Sequence, residues 1–192
     1  DVSIHDLAAR LPIGTARPDP AAVAAAVELL KTSERPAIVV GGGTITGEAS
    51  AEVLALAERW RIPVVTTWNG KSAFPEDHEL FAGSVGQTGT PVGNTIAANA
   101  DVVIAVGCRF TDWSASSYAK GVSFSIPPGK LIHIDLDHHE IGKNYPAEVG
   151  IVADARVTLE AMLSLISETQ GRKALDRRGP FLNDIARAKA DW

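Results

Sequence analysis

The sequence predicts a doubly wound α/β domain, with a mostly parallel sheet and helices on both faces. Three observations carry this expectation. Apolar, β-branched runs such as "PAIVV" (36–40) and "DVVIAVG" (101–107) lack the alternation of a strand with one wet face, so they suit strands buried on both sides. These runs alternate with segments of helical periodicity, the pattern of βαβ units. Glycines, hydroxyls and charges gather just after the runs, where open α/β sheets hold their ligands.

Residues 1–18 contain Pro12, Gly14 and Pro18 without sustained periodicity and read as a linker or arm. Asp19-Pro20 is a helix start, with Asp as N-cap and Pro at the first helical position. Val23, Val27 and Leu30 continue at helical spacing to about Lys31. "PAIVV" is the first strand, and Gly41-Gly42-Gly43 follow it. Val53, Leu56, Ala57 and Trp60 mark a second helix, and "PVVTT" (63–67) reads as a strand. Residues 83–94, rich in Gly and Thr, read as a loop entering a helix near Asn94–Asn99. "DVVIAVG" is the clearest strand, and "KLIHIDLD" (130–137) and "VGIVAD" (149–154) are two more. Asp154 then caps a helix carrying Val157, Leu159, Leu163 and Ile166. Past Thr169, "QGRKALDRRGP" is basic, holds Gly171, Gly179 and Pro180, and reads as a linker. "FLNDIARAKADW" places Phe181, Ile185 and Trp192 on one stripe of an amphipathic helix. The predicted organisation is an arm (1–18), a central α/β domain (19–168), and a linker with a helix (169–192). Both ends predict a piece of a longer protein, because the chain starts at Asp1 without Met and stops within a helix.

Composition narrows the function. A formal net charge of −5, with no run of Lys or Arg, offers no footprint for nucleic acid or a membrane surface. The apolar runs are strand-length, far below the ~20 residues of a membrane span. The lone cysteine, Cys108, cannot form an internal disulfide, which fits a reducing, cytoplasmic setting.

The polar signals map to one edge. Gly41-Gly42-Gly43 follow the first strand, Thr66, Thr67 and Trp68 the second, and Cys108, Arg109, Thr111 and Asp112 the 101–107 strand. Asp135 and Asp137 end the next strand, and Asp154 the last. Backbone that allows close approach, a cation for phosphate and acids for ribose hydroxyls are what a nucleotide site needs. The spacing Gly41, Gly43, Gly47 is G-x-G-x-x-x-G rather than G-x-G-x-x-G, and Thr67-Trp68 stand where a ribose-binding acid would sit, which argues against a conventional NAD dehydrogenase. No Gly-Lys-Ser/Thr closes the glycine run, so it is not a Walker loop. His133, Asp135 and Asp137 share a strand face, but their spacing matches no familiar metal site, and a strand end leading into a polar turn accounts for them. Cys108 reads as a small buried hydrophobe, and Trp68 and Trp113 as either core or stacking surfaces.

Several segments together carry a resemblance. "RPAIVVGGG", "IPVVTTWNGKSAFPEDHEL", "GQTGTPVGNTIAANADVVIAVGCRFTD", "LIHIDLDHHEIGKN" and "VADARVTLEAML" occur in this order from about Pro20 to Ile166. The chain resembles the central domain of thiamine-diphosphate-dependent enzymes of the acetolactate synthase (acetohydroxyacid synthase) group. Its "NGKSAFPEDH" and "VGQTGT" stretches are also similar to the trihydroxycyclohexanedione hydrolase of inositol catabolism. The resemblance implies a six-stranded, Rossmann-like sheet lying between pyrimidine-binding and diphosphate-binding domains of one polypeptide, in a homodimer or homotetramer. It implies that FAD or ADP can bind here, or, as in some relatives, that the domain binds nothing and serves as a spacer. Gly41, Gly42 and Gly43 would approach the diphosphate and ribose, Thr67 and Trp68 the flavin side, and Thr88 and Gly89 would lie along it. Arg109 would meet phosphate or ribitol, Asp135 ribose hydroxyls, and Asp154 and Ala155 the adenine. FAD-binding members commonly read Arg-Phe-Asp-Asp-Arg where this chain has Arg109-Phe110-Thr111-Asp112-Trp113, and Met-His-Gly where it has Gln87-Thr88-Gly89. With no Gly-Asp-Gly and paired Asn motif, thiamine diphosphate and Mg2+ would bind outside this chain. The whole enzyme would decarboxylate a 2-keto acid and ligate the product, and the fragment alone would be inactive. A free-standing nucleotide-binding module on a similar fold is the reading from another class.

Overall fold

The computed structural model of the chain describes residues 15–190. The helix stripe's Trp192 and most of the 1–18 arm lie outside them. The chain runs α1 (Pro20–Thr32), β1 (Pro36–Val40), α2 (Gly42–Thr46), α3 (Ser50–Trp60), β2 (Val64–Thr66) and β3 (Phe81–Ser84). It continues α4 (Pro91–Ala98), β4 (Val102–Val106), β5 (Lys130–Asp135), β6 (Val149–Val152), α5 (Ala155–Ser164) and α6 (Glu168–Ala190). The six strands form one sheet in the order β3-β2-β1-β4-β5-β6, and every pair is parallel. Strand order reverses between β1 and β4, which makes their carboxyl ends the topological switch point where such sheets open a crevice.

The continuous apolar runs are explained by cover on both faces. Ile38 and Val40 of β1 pack with α1, α3 and α5, through residues such as Leu30, Leu56 and Leu159. Ala37 and Val39 face the opposite layer, which holds Val92 and Ile96 of α4 and Ile185 of α6. Helix starts follow the sequence signals. Asp19 accepts from the Ala21 N–H at 2.9 Å, with Pro20 at the first position, and Asp154 accepts from the Val157 N–H at 3.0 Å. The same device starts α4 earlier than expected: Thr90 accepts from the Gly93 N–H at 3.0 Å ahead of Pro91.

Two regions differ from the sequence reading. The Gly/Thr-rich loop expected from residue 83 overlaps the edge strand β3, whose four residues include Gly83 at φ +99°. So short and small a segment carries no alternation, and it becomes a strand because β2 offers it a free edge. The "QGRKALDRRGP" stretch, read as a linker, lies within the single helix α6, Pro180 included. Gly171 is a close-contact glycine there, since a Cβ would lie 2.5 Å from the Arg59 carbonyl oxygen of α3.

The amino edge of the sheet is closed by polar groups. Arg178 of α6 is completely buried. Its guanidinium donates to the carbonyls of Leu30 (2.7 Å), Ser33 (3.3 Å) and Trp60, at the carboxyl ends of α1 and α3. A cation there satisfies carbonyls that helices leave open and complements both helix dipoles. Burial pulls its pKa down to about 10, which still leaves it charged at neutral pH. Beside it, Asp101 accepts from Ser33 Oγ (2.5 Å) and from the Glu34 (2.8 Å) and Arg35 (3.1 Å) N–H groups.

Candidate functional site at the strand carboxyl ends

β1 and β4 leave the sheet side by side, and each ends in a glycine turn. The Gly41 N–H donates to the Val106 carbonyl (3.0 Å), the Gly43 N–H to Gly107 (3.1 Å), and Thr44 Oγ1 to Val106 (2.8 Å). A Cβ on Gly41 would lie 2.1 Å from the Gly107 oxygen, and one on Gly43 2.7 Å from the Gly107 Cα. Gly107 has φ +54°, and a Cβ there would reach Gly43 at 2.5 Å. Gly41 and Gly43 are therefore required by backbone packing against β4, whatever binds above them. Gly42 differs. Its N–H has no protein acceptor among the described residues, as expected for a first helical residue.

Above this corner lies a cleft of about 490 Å3. Gly41, Gly42, Gly43 and Thr46 form one side, Thr67, Trp68 and Asn69 another, and Gly107, Cys108 and Arg109 a third, with Asp135 at the end of β5. Thr111, Trp113 and Ser114 complete it. Thr67 Oγ1 accepts from the Gly70 N–H at 3.2 Å and caps the Trp68–Gly70 turn, which leaves the Trp68 indole 69% exposed beside the cleft. Trp113 is 49% exposed.

Arg109 is fixed at its backbone and free at its tip. Phe110 is buried at φ +49° and packs edge-on against Phe124, His133 and Tyr145. Asn144 Nδ2 donates to the carbonyls of Arg109 (3.1 Å) and Phe110 (3.0 Å), and Tyr118 Oη to that of Phe110 (3.0 Å). The Arg109 side chain is exposed and joins no ion pair among the described residues. A positive φ at a bulky residue is strain of the kind held at working loops.

His133 and Cys108 support the floor. His133 is buried, and burial outweighs its bond to the Cys108 carbonyl and lowers its pKa, so it is neutral. With Nε2 2.9 Å from that carbonyl and Nδ1 accepting from the Gly142 N–H at 3.3 Å, both ring nitrogens are engaged, and the proton is assigned to Nε2. His133 therefore has no nitrogen to offer a metal with Asp135 and Asp137. Burial pushes the Cys108 thiol up to about 12, so it stays protonated and unreactive at neutral pH.

The sequence-expected site residues separate into two groups. Gly41, Gly42, Gly43, Thr67, Trp68, Arg109 and Asp135 meet at the cleft. Thr88 and Gly89 do not line it; their turn is tied to the Trp113 loop at its rim by the Gln87 N–H on the Trp113 carbonyl (2.9 Å). Asp154 and Ala155 also stand off it, at the start of α5, where Asp154 is the N-cap and its N–H donates to the Ala16 carbonyl at 2.9 Å. Thr46, Asn69, Gly107 and Ser114 were not anticipated. Gly107 carried a signal, as a glycine ending the strand next to the Gly41 turn, whereas Thr46, Asn69 and Ser114 carried none.

This fold and cleft define an open α/β domain of the Rossmann-like class. Residues 23–162 match the family model described as "Thiamine pyrophosphate enzyme, central domain", and the chain belongs to that family. It is 45% identical over 147 residues to a probable acetolactate synthase large subunit of Methanocaldococcus jannaschii, covering 77% of this chain and 24% of the relative. It is 36% identical over 165 residues to the acetolactate synthase isozyme 3 large subunit of Escherichia coli (86% and 28%). It is 35% identical over 189 residues to a 3D-(3,5/4)-trihydroxycyclohexane-1,2-dione hydrolase of Bacillus cereus (98% and 27%). The chain spans about a quarter of the length of these relatives. Among the described residues no helix is long and apolar enough to cross a membrane.

Proposed function

We propose that the cleft binds a nucleotide diphosphate, FAD or ADP, and that the chain serves as the central domain of a thiamine-diphosphate-dependent, acetolactate-synthase-like enzyme. The observation that carries this is that Arg109, exposed and without an ion pair among the described residues, lines the same cleft as the glycine corner, with the Gly42 N–H unengaged. Together they suit a diphosphate, by charge and by backbone donation. Asp135 suits ribose hydroxyls, and the exposed indoles of Trp68 and Trp113 suit a flat ring. The volume falls within the roughly 300–1,000 Å3 of small-molecule sites. Thr88, Gly89, Asp154 and Ala155 belong to this reading only as outer residues that a longer ligand would reach.

In the whole protein, thiamine diphosphate and Mg2+ would supply the decarboxylation and ligation chemistry from flanking domains of the same polypeptide, in a homodimer or homotetramer. The chain by itself would not form acetolactate. The lone buried cysteine favours a cytoplasmic setting. The similarity across nearly the full chain to the B. cereus hydrolase supports a second reading, in which the same domain belongs to a cyclic-diketone hydrolase.

Calorimetric titration of the chain with ADP and with FAD, beside an absorbance spectrum of the purified protein, tests the site. We expect saturable binding of at least one ligand, weakened by Arg109→Ala. Absence of binding to both sinks the nucleotide reading, and acetolactate formed by the isolated chain sinks the claim of inactivity.

A further inference from the structure

We propose that the turn after β5 is a surface site for one divalent transition-metal ion of the zinc, nickel or copper class, held by Asp137, His138 and His139. One carboxylate oxygen and one ring nitrogen from each histidine lie within 4.8 Å of one another. Asp137 Oδ1 is 3.1 Å from His139 Nδ1. A tetrahedral ion with bonds of about 2.0–2.1 Å needs ligand atoms roughly 3.3 Å apart, so this edge is already formed. The two imidazole centroids are 3.8 Å apart, which puts the second ring on the same side of the turn.

The turn is anchored rather than loose. The Asp137 N–H donates to Asp135 Oδ1 at 3.0 Å, and the His139 N–H to Asp137 Oδ1 at 2.9 Å. Asp135 is the last residue of β5, so the cluster hangs from a strand inside the sheet. Two imidazoles and one carboxylate form a nitrogen-rich set that suits borderline transition metals, whereas Mg2+ and Ca2+ take oxygen ligands. All three residues are exposed, so an ion there would keep water in its remaining positions. None of the three ligands lines the nucleotide cleft; Asp135, which anchors the turn, does, and the proposal does not rest on the nucleotide reading.

Titration of the chain with Zn2+ and, separately, Ni2+ tests the proposal. We expect saturable binding of one ion per chain, weakened about tenfold or more by His138→Ala and by His139→Ala. Far-UV circular dichroism and the metal-free urea midpoint of these variants should match the parent. His5→Ala and His78→Ala should leave binding unchanged, and the electron paramagnetic resonance spectrum with Cu2+ should show two nitrogen ligands. No saturable binding by the parent chain, or equal binding by the His138→Ala/His139→Ala double variant, overturns the site.

Discussion

Two arginines at opposite edges of one sheet have opposite fates. Arg178, at the amino edge, is buried and donates to the carbonyls of Leu30, Ser33 and Trp60. Arg109, at the carboxyl edge, has its backbone pinned by Asn144 while its guanidinium stays in solvent. The amino edge is closed by satisfied polar groups and the carboxyl edge is left open above a glycine corner. A satisfied buried charge holds elements together, and an unsatisfied exposed one is available to a ligand.

Breaking the closed edge should give the largest effect. Arg178→Ala leaves three carbonyls without their donor and a cavity under α6. We expect a loss of about 3 kcal/mol or more in urea unfolding, with Arg178→Lys restoring only part of it. An unchanged midpoint would show that α6 does not clasp the amino edge. Next comes the corner shared by both roles. Gly107→Ala places a Cβ 2.5 Å from Gly43 at a positive φ. It should lose about 2–3 kcal/mol of stability and any nucleotide binding with it. Asp101→Ala, which removes three accepted hydrogen bonds, should cost about 1–2 kcal/mol in the same measurement.

Arg109→Ala sharpens the contrast from the other side. We expect the unfolding midpoint to move by less than about 0.5 kcal/mol, while calorimetry shows ADP or FAD affinity falling about tenfold or more, the worth of a charge-assisted bond. A large stability loss would make Arg109 a structural residue. The smallest effect concerns pH. Burial lowers the folded pKa of His133 below the ordinary imidazole value. The unfolded chain therefore binds a proton first. Stability from this group is complete above the unfolded pKa and is lost as pH falls through it toward the folded pKa. Urea midpoints measured from pH 7.5 down to 5 should decline, and His133→Gln should flatten that decline.

Much of the fold was legible because burial on two faces leaves a one-dimensional trace. β1, β4 and β5 announce themselves as apolar runs, and Asp19-Pro20 and Asp154 announce helix starts through the chemistry of their own side chains. β3 was not legible, since "FAGS" has neither length nor alternation and pairs only because β2 presents an edge. Nor was the first half of α6, whose Gly171, Gly179 and Pro180 favour a break by local propensity, although its end, from Phe181, was read as a helix. Packing on α3 and the Arg178 bonds override that propensity, and neither can be seen before the partners are in place.

The same division holds at the cleft. Residues at strand ends, such as Gly41–Gly43, Arg109 and Asp135, could be placed there from sequence, because parallel strands bring all their carboxyl ends to one edge. Which of these are held by the protein and which are free was decided only by the tertiary structure. Gly41 and Gly43 serve the packing against Gly107, Asp154 caps α5, and the turn holding Thr88 and Gly89 is tied to the Trp113 backbone without lining the cleft. By itself the sequence determined the layers, the edge that carries the polar residues and the family. Pairing across the sheet assigned each polar group a partner or left it without one, because hydrogen-bond satisfaction depends on neighbours that are distant along the chain.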